Sequence, residues 1–501
     1  MQLHSFHKYV GAALCAALLI VSCGGGGGGG TPAATPAVSL GTVTGFGSVI
    51  VNGTHFDDSQ ATVLIDELPG TSAQLKVGMV VAVEGSGVNC PSSDTALCSG
   101  VASRIRFRNN LVGPITSVNM LTNTIQVMGR DVVIGDSSML TGMSPRDLSG
   151  LQVNDVVQVS GLLDRDQVHD RIRARLLDKT GTLLNGTSAL SVMGTVSNAN
   201  LSAATCTVDG VNVQFSGLAS GSLPSGGVAN GQYVQVTGST FAGGLLTADR
   251  IQLRDRISFP SATRIEVEGA ITQFVTQSNF LVDGQAVDAS SAVFRNGTAS
   301  DLANGVLVDV IGTMSGSTLV ASKVTFRLEA NVEVAAPLQL VDPVAGTLQL
   351  LGQSIGTTTA TQYVDTSSGT GRPVRTLGLS SLVPGDRIDV RAYKDASGNL
   401  VAARVERTDP DTRLTVKGPV VAKVPNTGLN IVGIAAVTGA QTIYTLADGS
   451  STTDATFYTT VQVPPALPSL VRVMGVASAT LTNTIDATHP TGVPGEARIA
   501  Q

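Results

Sequence analysis

Two cysteines eight residues apart are the sharpest chemical signal in the chain. Cys90 and Cys98 bracket a Pro-Ser-Ser-Asp-Thr-Ala-Leu segment. In an oxidising compartment that spacing favours a disulfide, worth roughly 2.5 kcal/mol through loop closure. A metal pair is the alternative, although no His or third Cys lies nearby in sequence. Cys206 offers a separate thiol. It stands in register with Val49, Ile125 and Phe280, so it reads as a small buried hydrophobe ahead of a redox centre. His55, His169 and His489 are far apart in sequence. General acid–base work needs a partner within hydrogen-bond reach, and their spacing supplies none. His55-Phe56-Asp57-Asp58 and the run from Asp164 to Asp170 could hold a cation through oxygen ligands. They lack EF-hand spacing, and solvated hairpin tips explain them as well.

Arginine alternates with apolar residues in Arg104-Ile105-Arg106-Phe107-Arg108 and again from Arg171 to Arg175. Such strands could touch anionic lipid or polysaccharide, or they could guard a sheet edge against aggregation. Asn52-Gly53-Thr54, Asn185-Gly186-Thr187 and Asn296-Gly297-Thr298 match a glycosylation acceptor, but Asn-Gly is first a turn signal. Gly45-Phe46-Gly47-Ser48 lacks the strand-to-helix setting of a nucleophile elbow or phosphate loop. No acid, base and nucleophile recur together, so an enzyme is not expected, and no cofactor or metal is implied. Net charge is −6, with no Trp and few aromatics. Basic steering and base stacking are both missing, which disfavours nucleic acid.

The elements that carry these residues begin behind an N-terminal leader. A short basic start precedes an apolar run from Val10 to Val21 that ends Leu19-Ile20-Val21-Ser22-Cys23-Gly24. The run is too short to span a bilayer and suits a secretion signal, here residues 1–22. Its end resembles the lipobox of bacterial lipoproteins, which implies acylation of Cys23 and membrane attachment through that lipid. Gly24, where an Asp would signal retention, implies the outer membrane by the same resemblance. Seven glycines and a Thr/Pro/Ala segment follow, so residues 23–40 read as a tether. It would reach roughly 60 Å extended and about 23 Å as a coil.

Behind the tether the chain repeats itself. Alternating apolar residues ending in glycine recur as Val49-x-Val51-x-Gly53, Ile125-x-Val127-x-Gly129, Cys206-x-Val208-x-Gly210, Phe280-x-Val282-x-Gly284, Leu348-x-Leu350-x-Gly352 and Leu429-x-Ile431-x-Gly433. A second pattern starts at Val81, Val157, Val234, Val308, Ile388 and Val471, at steps of 74 to 83 residues. A third, apolar-x-Ala-x-x-apolar, closes four units, from Ile172, Leu246, Leu319 and Leu400, and survives as Ala102-x-x-Ile105 in the first. An opening Gly-x-Val/Ile stands at Gly41, Gly113, Gly194, Gly269 and Gly418, degraded in the fifth unit near Val332. Period-two alternation is strand grammar. Glycine is abundant (57 residues) and charged residues make up only 14%. The expected fold is all-β, a tandem array of about six small five-stranded OB-like barrels. A sandwich shared across neighbours is the competitor. The units are 41–109, 111–178, 192–257, 265–328, 331–408 and a divergent 413–501. The inward set from Val81 to Val471 should be matched by an outward set: Ala82, Gln158, Gln235, Asp309, Asp389 and Arg472. Helix should be confined to short turns such as Ser144–Leu151.

The first two units carry a more specific likeness. The segments from Gly41 to Gly53 and from Leu75 to Gly85 resemble the two conserved blocks of the bacterial domain of unknown function 5666 family. The segments Gly113–Val118 and Val153–Gly161 repeat them. The resemblance implies a barrel-like module and an envelope lipoprotein, and it carries over no functional residue. The sequence thus points to a non-enzymatic structural, scaffold or adhesin-like envelope array with a possible protein or polysaccharide partner. Its alternative is a binding module that uses one barrel groove for a saccharide, a cation or a protein strand.

Overall fold

A computed structural model describes residues 36–91, 98–144, 146–165, 170–257, 259, 264–488, 492 and 494–500. The acylation candidate Cys23, with the signal and glycine tract, lies outside the described residues, as do His169 and His489.

The chain is all-β, and the repeats fold as closed barrels. Barrel two shows the plan: Leu111–Asn119, Thr124–Val127, Arg130–Thr141, Asp155–Arg165 and Asp170–Thr182. Hydrogen bonding runs first–second–third–fifth–fourth–first, with the third strand parallel to the fifth. The same ring closes at 36–107, 190–253, 264–326, 332–408 and 414–500. Val81, Val157, Val234, Val308, Ile388 and Val471 all occupy the fourth strand, and all are fully buried. The sixth unit, the most divergent in sequence, adds the single α-helix found among the described residues. That helix is Asp454–Thr460, and it buries Phe457 and Tyr458. The turn expected at Ser144–Leu151 contains a 3-10 turn at Leu148–Gly150, capped where Asp147 accepts from the Ser149 amide at 2.9 Å.

Two local devices set each barrel. The second and third strands join through a two-residue turn with both residues at positive φ, as at Asn52 (51°) and Gly53 (78°). This type I′ geometry follows the twist of the strands, and glycine enters its second position freely. Asp209, Asp283, Met128, Leu351 and Val432 hold the first position in the other units. The turn's first side chain then folds across the opening strand, where a glycine receives it. A Cβ on Gly194 would stand 2.3 Å from Asp209 Cβ. In barrel five the equivalent of that glycine is Ala336, paired with Ile388, and there the first strand breaks into Val332–Pro337 and Leu340–Asp342.

The barrels are serial in sequence but not in space. The first strand of barrel one pairs with the first strand of barrel four, Ala37 with Arg264 through Leu40 with Val267. First strands likewise join barrel two to three and barrel five to six. The two architectures set against each other in the sequence therefore coexist: each barrel closes, and each pair shares a sheet. Cores follow the pairs, one apolar cluster spanning barrels two and three and another spanning five and six. Residues 36–40, read as tether, are the shared half of the first strand. Repeat two likewise runs past Asp178 to Thr182.

The outward set needs a correction. Those side chains do leave their own barrels, but they are covered instead of facing open solvent. Ala82, Gln235 and Asp309 are buried, while Gln158, Asp389 and Arg472 are half-buried.

Candidate functional site: a charged cavity between barrels two, five and six

Across the sheet shared by barrels five and six, the faces turned away from the two cores form rungs of charge. One rung reads Arg404, Arg391, Glu333, Lys417, Arg472, Arg498 over six hydrogen-bonded strands. The next reads Glu406, Asp389, Ala335, Thr415, Met474, Glu496. The pleat explains both: valines, isoleucines and alanines fill the intervening inward positions, and every second residue is free to be polar.

Glu333 is buried and accepts from Arg391 Nη1 at 2.9 Å and Arg472 Nη2 at 3.2 Å. Burial alone would raise its carboxyl. Arg391, Arg472 and Lys417 outweigh that and hold it at about 2. Asp389 moves the other way, because desolvation exceeds the attraction of Arg391 at 3.4 Å. Barrel two lies over these rungs. Asp136 takes Lys417 Nζ at 2.7 Å, the Ser138 carbonyl accepts from Arg404 at 2.9 Å, Arg146 bonds Glu406, and Asp147 lies 3.7 Å from Arg472. Between the surfaces remains a cavity of about 750 Å³, whose wall also includes Arg387, Arg413 and Arg498. A second, of about 1310 Å³, is walled by residues of barrels one, two, four and five, among them Glu266, Glu268, Asp309 and Arg175. Arg175 of barrel two donates to Glu268 of barrel four at 2.7 Å. Burial pushes Glu266 and Asp309 upward. These arrangements can lock barrels together and can present guanidinium groups to an anion.

Several of the residues singled out in the sequence, Cys90 and Cys98 among them, line the second cavity. Cys90 and Cys98 are joined by a disulfide. Cys206 is buried, and desolvation pushes its thiol up to about 11. Ser48 Oγ meets the His55 ring at 3.0 Å across a hairpin, a contact that spacing did not suggest. Neither residue lines either cavity. Asp164 is held by Arg171 and Arg173 at 2.9 and 3.0 Å. Among the described residues no cluster of His, Cys, Asp or Glu is arranged to hold a metal ion, and no helix is long and apolar enough to cross a membrane. The arginine strands occupy the fifth position of closed barrels, where Arg104 pairs with Glu84 at 3.1 Å and Arg108 with Glu67. They are therefore not sheet edges. A groove within one barrel was the expected binding alternative; both cavities instead lie between barrels.

A family model described as a domain of unknown function, DUF5666, matches residues 40–88, 112–170, 193–252, 268–325 and 337–406. The chain belongs to this family. Five of its barrels are DUF5666 repeats, and the sixth closes with the same ring outside the matched regions. The chain matches no curated protein. Repetition of this β module fits a non-enzymatic structural role. The rungs were missed because outward strand positions read as solvated. One signal could have exposed them: Glu266, Glu268, Glu333 and Lys417 stand inside otherwise apolar strands of a charge-poor chain.

Proposed function

We propose that this DUF5666 chain is a non-enzymatic envelope lipoprotein, a rigid scaffold or adhesin-like platform tethered by lipid on Cys23. One observation carries the reading: the same barrel recurs six times, and ion pairs between outward side chains join one barrel to another. A buried ion pair fixes register and orientation more than it adds stability, which suits a platform whose shape matters. The lipobox and glycine tract supply the address, on the outer membrane by the resemblance of Gly24. A partner would be an envelope protein or polysaccharide that meets the outer surface, with no cofactor in the reading and no nucleic acid. The test is Cys23→Ser followed by cell fractionation and by affinity capture from envelopes with the mature protein. Release of the variant into the soluble fraction, together with one reproducible envelope partner, supports the reading. A variant that stays as firmly with membranes removes the anchor, and turnover of a captured small molecule removes the non-enzymatic assignment.

A further inference from the structure

We infer that the cavity between barrels two, five and six binds a small oxyanion, a phosphate or carboxylate group, on Arg387. Arg387 opens the fourth strand of barrel five (Arg387–Lys394), two residues before Asp389 on the same face. Only 8% of it is exposed, it lines the cavity, and its Nη1 is buried with no hydrogen-bond partner. Among the described residues no carboxylate lies within ion-pair distance of it, and Asp411 and Asp389 act on it only from farther away. The nearby acids are already committed: Asp411 takes Nε and Nη2 of Arg413 at 3.2 and 3.1 Å, and Asp389 takes Arg391 at 3.4 Å. A buried guanidinium left without an acceptor is costly, whereas its planar fork matches the paired oxygens of a carboxylate or phosphate.

The rest of the wall agrees. Eight arginines and lysines face seven aspartates and glutamates around the cavity, so one negative charge would balance it. Arg498 stands directly opposite Arg472 on the neighbouring strand, a like-charge pair that is unfavourable unless an anion lies near. Arg472 has Glu333 and Asp147 as partners, and among the described residues Arg498 has no ion pair. The space of about 750 Å³ exceeds what one inorganic ion needs, so the oxyanion can be the head of a larger molecule.

The full mature chain is titrated by calorimetry with inorganic phosphate and, separately, with acetate, against sodium chloride of equal ionic strength. Saturable heat with one of them, weakened at least tenfold in Arg387→Gln, is the expected result. Whichever anion binds tighter names the head group. Arg387→Lys keeps the charge but loses the fork, and it should bind at least threefold more weakly than the parent. This variant carries the test if R387Q does not fold. Heat that chloride reproduces, no saturable heat with either anion, or equal binding by the variants would overturn the proposal.

Discussion

Gly194 shows how a side chain no larger than a hydrogen atom makes room for a neighbouring turn. Its missing Cβ leaves room for the Asp209 side chain at 2.3 Å, so Gly194→Ala should cost about 1–3 kcal/mol through overpacking. Gly181 sits in a strand with nothing within 4 Å, and Gly181→Ala should stay within about 0.5 kcal/mol. Denaturant midpoints of the two variants compare them directly. The glycine was legible as a repeated letter, but not its reason, because the side chain it receives comes from the next hairpin. Glu333 makes a second residue-scale prediction. Its carboxyl is held at about 2 in the folded chain, below the ordinary 4.5. A lowered carboxylate contributes stability that is present above pH 4.5 and is lost as pH falls toward 2. Glu333→Gln should flatten that part of the acid unfolding curve and should lower stability at neutral pH, since it strips Arg391 and Arg472 of their shared charge. A variant with an unchanged acid limb would remove Glu333 from the account.

At the scale of the strand, alternation was readable in the sequence to the residue. Val157 and Val234 point inward and are fully buried, so Val157→Ala should cost about 1–3 kcal/mol in equilibrium unfolding. What alternation could not tell was the destination of the opposite face. Gln158 and Gln235 look equivalent on paper. Only Gln235 accepts two bonds from Arg254, at 3.0 and 2.7 Å, so Gln235→Ala should cost roughly 1 kcal/mol and Gln158→Ala much less. Equal costs would mean that the Arg254 contact carries no weight. The rungs of the candidate site escaped notice for the same reason. Each is assembled from six strands of two repeats, so its members lie far apart in the sequence.

Solenoid repeats touch only their neighbours, and this molecule does otherwise. Barrel two meets barrel one through Lys76–Asp178, barrel three through Arg130–Asp209, barrel four through Arg175–Glu268, barrel five through Arg404 and barrel six through Lys417. Repeat number and strand order were legible, because period and turn chemistry are local. Partnership was not, because a pairing of strand edges leaves no mark on periodicity. Arg175→Ala leaves Glu268 buried without its main counter-charge, and such losses cost roughly 3–5 kcal/mol. Barrels two and four should then loosen together, which hydrogen exchange would register as lost protection at both. Loss confined to barrel two would mean that the two fold as separate bodies.

The pairing of barrel one with barrel four also imposes a schedule. Barrels two and three, which pair with each other, are enclosed between them along the chain, like an inner parenthesis. Ser39 finds Glu266, its neighbour across the shared sheet, 227 residues downstream. In a chain that emerges N-terminus first, the edge from Ala37 to Leu40 stays open until the 227 residues to Glu266 have followed. A row of unpaired amides and carbonyls is a template for the wrong strand, and five sister barrels offer equivalent first strands. The molecule's birth, more than its finished state, is where a holding chaperone would find its substrate.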